Sequence, residues 1–359
     1  MSKFAFWGPG RDPMMEEFRA QLEKEWRRRG YEFDEAEKPD AEVVFNFIDP
    51  KKPKPFRRRQ RSTYVTIIHA LPELPEDVLK YEYPLMVRGL ANLGMLVVPG
   101  HSCYFVTPER GVYSVPDPGR LEQWVHDIVD RITPLATSRL VIDNRFEPDL
   151  EPELWQGDDL TESLFQAGKR LDALGLLPAP FPLHEIVPER ELRAIKRIYG
   201  IGGLSYGNLS VRKDARRFWM SASGVDKSNL RQVGKDVLMV KDYEPSTGTM
   251  VLSVPPEIEP NRVSVDAIEH WMIYQEHPDV NAIVHVHAWI PGIPATEFNY
   301  PCGTAELAVA VADIIRDEHQ PSHAVVGLKN HGITVTGSSL EDIFERIEPV
   351  IEVQVPMIA

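Results

Sequence analysis

Residues Ala282-Ile-Val-His-Val-His-Ala288 constrain this chain more than any other stretch, because they leave little choice of local structure. β-Branched and other apolar residues surround both histidines, and such a run reads as a buried strand. Residues i and i+2 of a strand point to the same face, so His285 and His287 stand side by side. Two imidazoles in that arrangement can share one divalent metal. His331, between Asn330 and Gly332 after the apolar run Ala324-Val-Val-Gly-Leu328, is a third candidate ligand. Three histidines with an open coordination position are the arrangement of a catalytic rather than a structural zinc-type site.

Upstream, Val265-Asp-Ala-Ile-Glu-His-Trp-Met-Ile-Tyr274 has helical spacing, with Ile268, Trp271 and Met272 as its buried stripe. Asp266, Glu269, His270 and Ile273 fall on an adjoining face, and Asp266 in the first turn can reach a metal on the following strand. His270 reads as a residue that orients a ligand or packs beside the site, and Glu269 and Glu297 as solvated or salt-bridged surface acids. Two polar turns, Gly207-Asn208 and Ser223-Gly224, are each flanked by strand-like runs. Glycine lets backbone amides approach a ligand, and amides with short polar side chains suit an oxyanion. Taken alone, the same residues equally suit simple β-turns.

These motifs, in this order, resemble the class II aldolase and adducin family over about residues 155–355. The resemblance runs from the helix ending in Arg170-Leu-Asp-Ala-Leu-Gly-Leu176, through Gly207-Asn-Leu-Ser-Val-Arg212, Ser221-Ala-Ser-Gly224 and Asp266, to the three histidines and Gly303-Thr-Ala-Glu-Leu-Ala308. It implies a three-layer α/β/α domain with a mostly antiparallel sheet. It implies His285, His287 and His331 as metal ligands, Asp266 as fourth ligand or general base, and Ser205, Gly207, Asn208, Ser223, Gly224 and Ser264 as substrate-binding residues. Zinc suits three imidazoles best, and manganese, iron and cobalt are compatible. Family members assemble as cyclic tetramers, so a homo-oligomer is expected.

The chain also departs from the family. Asp266 stands where the aldolases carry Glu, as in the epimerase branch, and Val265 replaces a serine of their Ser-Ser-acid pattern. The link from His287 to Gly303 is short, and the family's active-site Tyr residues have no evident counterpart in it or after the helix expected near Leu340. The implied function is a divalent-metal-dependent lyase of carbohydrate metabolism. It would cleave a carbon–carbon bond through a metal-stabilised enediolate, on a small hydroxylated, optionally phosphorylated, carbonyl substrate. An epimerase or decarboxylase using the same site is the first alternative, and a non-catalytic adducin-like binding module the second. Adducin heads lack the metal histidines that this chain keeps.

With 359 residues and 43% hydrophobic content, two domains with cores of their own are expected. A net charge of −14 argues against nucleic acid as a partner. Two cysteines, no hydrophobic signal stretch and no membrane-length apolar run point to a cytoplasmic protein that acts on a small molecule away from membranes. Residues 1–144 read as a small parallel, Rossmann-like α/β domain of unknown role, 145–157 as an acidic, Pro-rich linker, and 158–359 as the aldolase-like domain. Gly8-Pro-Gly10 lacks the spacing of a nucleotide loop and reads as a turn, and Arg57–Arg61 reads as a solvated basic loop.

Overall fold

The computed structural model describes residues 2–8, 13–59, 63–108, 111–178, 183–189, 192 and 205–358. Pro9, Gly10, Gln60 and Arg61, which belong to the turn and the basic run considered above, lie outside the described residues. The chain divides into two compact units, residues 1–137 with 181–201 and 357–359, and residues 138–180 with 202–356.

The first unit is built on a seven-stranded sheet in the order β2-β1-β3-β4-β5-β6-β7. Its strands are β1 (Lys3–Trp7), β2 (Glu32–Phe33), β3 (Val43–Phe47), β4 (Tyr64–Ala70), β5 (Leu93–Val98), β6 (Ser102–Thr107) and β7 (Gly111–Pro116). Every residue of β3 and β5 is buried, as expected of parallel strands covered on both faces. Neighbours pair in parallel from β2 to β5, and β6 and β7 add an antiparallel hairpin, so the sheet is mixed. Helices α1 (Pro13–Arg28) and α3 (Leu121–Thr137) pack against each other, and α2 (Val78–Gly89) packs on β5 and β6. Trp26, Phe4, Phe45 and Trp124 belong to the core of this unit.

The second unit holds the motifs singled out in the sequence. After β8 (Asp143–Glu147) and α4 (Asp159–Ala173) come β9 (Asn208–Arg212), β10 (Phe218–Ser221), β11 (Val237–Glu244) and β12 (Thr249–Ser253). The short α5 (Leu183–Ile186) falls in the first unit. Then follow α6 (Ala267–Glu276), β13 (Ala282–Val286), α7 (Ala305–Arg316), β14 (Val325–Leu328), β15 (Gly332–Gly337) and α8 (Leu340–Ile347). The sheet runs β14-β15-β13-β9-β10-β11-β12-β8. Pairing is antiparallel from β14 to β12, and β8 joins β12 in parallel, which makes this sheet mixed as well. Residues 145–157, expected as a linker, are therefore built into the unit: Arg145, Phe146 and Glu147 pair with Val251, Leu252 and Ser253.

Helix starts follow ordinary capping chemistry. Asp158 accepts from Leu160 N and Thr161 N while the Thr161 hydroxyl accepts from Asp158 N, a reciprocal box that starts α4. Thr304 accepts from Leu307 N and starts α7, so the Gly303-Thr-Ala-Glu motif is a turn followed by a helix cap. Along β9 the side chains alternate: Ser210 Oγ meets Tyr274 of α6, whereas Val211 lies with residues of α4 and α8. Helices thus cover both faces, and the histidine face is the one beneath α6.

Candidate metal centre

Strand β13 sits between β9 and β15, with His285 opposite Asn208 on one side and Thr334 on the other. His285 Nδ1 lies 3.0 Å from the Ile333 carbonyl, which assigns the ring N–H to Nδ1 and turns Nε2 toward the other two histidines. Ligand nitrogens of His285, His287 and His331 all lie within 4.8 Å of one another. His331 Nε2 and His287 Nε2 are 3.1 Å apart. Two imidazoles sharing a tetrahedral zinc at Zn–N 2.0–2.1 Å would place their nitrogens roughly 3.3 Å apart. The donor set therefore fits a divalent metal.

Two glycines make this convergence possible. A Cβ on Gly207, at φ +72°, would stand 2.4 Å from the His285 carbonyl oxygen, and one on Gly332 would stand 2.2 Å from that of Val286. The backbone that bears His285 and His287 is pressed from both sides by chain without side chains. Asn330, just before His331, takes the left-handed conformation at φ 57°, which asparagine tolerates better than most residues.

Asp266 precedes α6 without capping it through its side chain. Its Oδ2 accepts from Asn208 Nδ2 at 2.9 Å and its Oδ1 from Gly303 N at 3.1 Å. Both oxygens are thus oriented by other groups, and the carboxylate stands outside the three-histidine cluster. Behind it lies a buried polar layer. Ser210 Oγ is 2.7 Å from His270 Nδ1 and 2.8 Å from Tyr274 OH, and Thr334 Oγ1 donates to Glu269 Oε1 at 2.5 Å. Glu269 is 1% exposed and makes no ion pair among the described residues, so it is no surface acid. Burial first, then the Asp266 carboxylate, push its carboxyl well above the usual range. Burial likewise holds His270 well below the usual imidazole value, as does the neighbouring His285.

The sequence-derived binding residues separate into two groups. Gly207 and Asn208 meet His285 and Asp266 directly. Ser205 Oγ instead donates to Val225 O and accepts from Lys227 N, and Ser264 N donates to Ser221 O. Ser223 and Gly224 form an exposed turn held by Ser223 N donating to Arg262 O. Among the remaining residues of the short link, Glu297 is exposed and Trp289 packs against the core.

Two residues escaped the sequence reading. Lys227 is 3% exposed, and its ammonium donates to Ser205 O at 3.0 Å. Burial brings its pKa down to about 8, against the opposing pull of Asp266. Cys302 Sγ lies 3.3 Å from His331 Nε2. Position was the available signal for both: Lys227 is three residues past the Ser-Gly turn, and Cys302 directly precedes Gly303.

Residues 193–290 match the family profile described as Class II Aldolase and Adducin N-terminal domain. The matched residues from 202 onward fall in the second unit, which is thus similar to a class II aldolase and adducin family domain over that stretch. Over 178 residues the chain is 28% identical to the 3-oxo-tetronate 4-phosphate decarboxylase of Haemophilus influenzae, a match covering 44% of this chain and 78% of that protein. It is 25% identical over 179 residues to an L-fuculose phosphate aldolase of Methanococcus maripaludis, covering 44% and 86% respectively. The crystal structure of L-fuculose-1-phosphate aldolase from Thermus thermophilus superposes with a TM-score of 0.34 at 20% identity, over 53% of this chain and 87% of that one. The class II aldolase relatives named here are enzymes.

Proposed function

We propose that the chain is a divalent-metal-dependent lyase acting on a small hydroxylated carbonyl compound, with its chemistry in the second unit. The observation that carries this reading is the convergence of three histidine donors beside an aspartate held by two hydrogen bonds. His285, His287 and His331 would hold the metal, zinc before manganese, iron or cobalt. Once bound, a metal there supplies Lewis-acid polarisation of a substrate oxygen. Asp266 is the general base. In an aldol cleavage it takes the proton of the substrate hydroxyl as the carbon–carbon bond breaks and the electron pair moves toward the polarised carbonyl. Asn208 and the Gly303 amide keep that carboxylate in place during the transfer.

Decarboxylation is the second reading, favoured by the likeness to a tetronate-phosphate decarboxylase. It uses the same electron sink and releases carbon dioxide instead of an aldehyde. Epimerisation through the same chemistry remains the third, and the retained histidines oppose a non-catalytic module. We further infer a homo-oligomer in the cytoplasm, by analogy with the family. Metal analysis of the purified protein beside its His285→Ala/His287→Ala variant tests the site, with about one metal per chain expected only in the parent. A panel of hydroxy-keto and β-keto acids, with and without phosphate, then follows aldehyde and carbon dioxide. Asp266→Asn should keep its metal and lose about 10²–10⁴-fold in kcat. A metal-free parent that stays empty with zinc, manganese and cobalt would sink the lyase reading.

A further inference from the structure

We propose that Lys227 holds a carboxylate of the substrate, so that the compound acted on is a hydroxy- or oxo-acid. The inference rests on the lyase reading above for the purpose of binding, although the ammonium itself requires no metal. Lys227 is 3% exposed, as enclosed as Asp266 at 5% and His331 at 3%. An ammonium carries three donors and no acceptor. One donor goes to Ser205 O at 3.0 Å, and Lys227 makes no ion pair among the described residues. The adjacent acid, Asp226, is committed elsewhere, accepting from Ser228 N and Ser228 Oγ. A buried ammonium with two unfilled donors is costly to keep, and an arriving anion offsets that cost.

The lysine is fixed at the root of the loop that builds the site. Ser205 Oγ donates to Val225 O and accepts from Lys227 N, so three hydrogen bonds join Ser205 to the stretch from Val225 to Lys227. A Cβ on Gly168 of α4 would stand 1.8 Å from Lys227 O, so that helix packs directly against the same backbone. Each of the three residues after Ser205 reaches the site. The Tyr206 ring lies 5.5 Å from that of His287, Gly207 abuts the His285 carbonyl, and Asn208 donates to Asp266. Of the two acids that act on Lys227, Asp266 exerts the larger pull and Asp226 the smaller.

Two free N–H donors match the two oxygens of a carboxylate. A phosphate needs more donors, and the nearby hydroxyls do not supply them. Ser205 Oγ is spent on Val225 O, Ser223 stands in an exposed turn, and position 265 is Val. Pairing with the ammonium also bears on the reaction. It stabilises the negative charge where it already lies, whereas loss of carbon dioxide needs that charge to move onto carbon. The carboxylate on Lys227 therefore stays with the product, and the carbon–carbon bond that breaks is a different one.

Malonate, inorganic phosphate and the neutral malonamide are titrated calorimetrically into the full chain after its metal is stripped, so that no anion can sit on a metal. Wild type is compared with Lys227→Met and with Lys169→Met, an exposed lysine on α4 that serves as control. Wild type and Lys169→Met should bind malonate and not malonamide, and Lys227→Met should bind malonate about tenfold more weakly or worse. In parallel, malonate should slow acetylation of Lys227 in the unmodified protein about tenfold near pH 8, close to its own pKa of about 8, and leave Lys169 unchanged. Peptide mass spectrometry reads both lysines, and this measurement needs no variant to fold. Malonate affinity that survives in Lys227→Met, a wild type that binds no malonate, or acetylation that malonate does not slow overturns the proposal. Phosphate bound through Lys227 more tightly than malonate overturns the carboxylate assignment. A chain that takes up no metal yet binds malonate through Lys227 removes the lyase reading and leaves the carboxylate site standing.

Discussion

A carboxyl group with no ion-pair partner among the described residues lies beneath the histidines and makes stability depend on pH. Glu269 Oε2 is buried with no hydrogen-bond partner among the described residues, and Oε1 receives only the Thr334 hydroxyl. Its raised pKa means that the folded chain keeps a proton that the unfolded chain releases above the usual 4.5. The folded state thus binds more protons between that value and the raised one, so stability falls as pH rises through the window. Glu269→Gln removes the ionisation. Its stability relative to wild type, measured by urea unfolding, should be near neutral at the acid end and grow steadily toward pH 8. A difference that stays flat with pH would refute the assignment. His270 acts with the opposite sense: its depressed value makes the unfolded chain bind the extra proton below the usual 6.5, so stability falls as pH drops. His285 and His287 were legible because strand alternation alone places them together. Glu269 was not, since helix periodicity turns polar residues outward, whereas the burial of α6 from Ala267 to Tyr274 spares only Met272.

At the scale of elements, the site is made by how closely three strands approach. The ends of β9 and β15 press glycine backbone onto the carbonyls of His285 and Val286. Gly332→Ala should cost about 1–3 kcal/mol or more from the overpacked contact, and weaken metal binding by displacing β13. Gly224 is a useful contrast, at φ +72° with open space around its Cβ position. Gly224→Ala should cost only the left-handed backbone penalty, about 1–2 kcal/mol, and leave metal affinity unchanged. Denaturant midpoints and cobalt titrations of the two variants check this, and equal effects would discredit the close-approach argument. Elements with strong apolar runs, such as β3 and β13, were readable from composition of the run. Strand β8, Asp143-Asn-Arg-Phe-Glu147, carries no alternation and is a strand because β12 offers it an edge. Helix α2 contains Pro84 and was equally hidden.

Over the whole molecule, each unit has a hydrophobic core of its own, one around Trp26, Phe45 and Ile128, the other around Trp219, Val284 and Ile333. A ligand held by His285, His287 and His331 touches only the second. Binding to the folded state alone stabilises it by about 2.7 kcal/mol at a free metal concentration of 100 times Kd. Amides that exchange through unfolding of the second unit should then slow about 100-fold on adding zinc, in β9, β13 and β15. Those of β3 and β4 should not change. Hydrogen exchange followed by mass spectrometry reads both sets in one experiment, and the His285→Ala/His287→Ala variant should show no zinc effect in either. Equal slowing in both sets would mean that the chain unfolds as a single cooperative body despite its two cores. Slowing confined to β3 and β4 would place the metal elsewhere, and the histidine site would have to be abandoned.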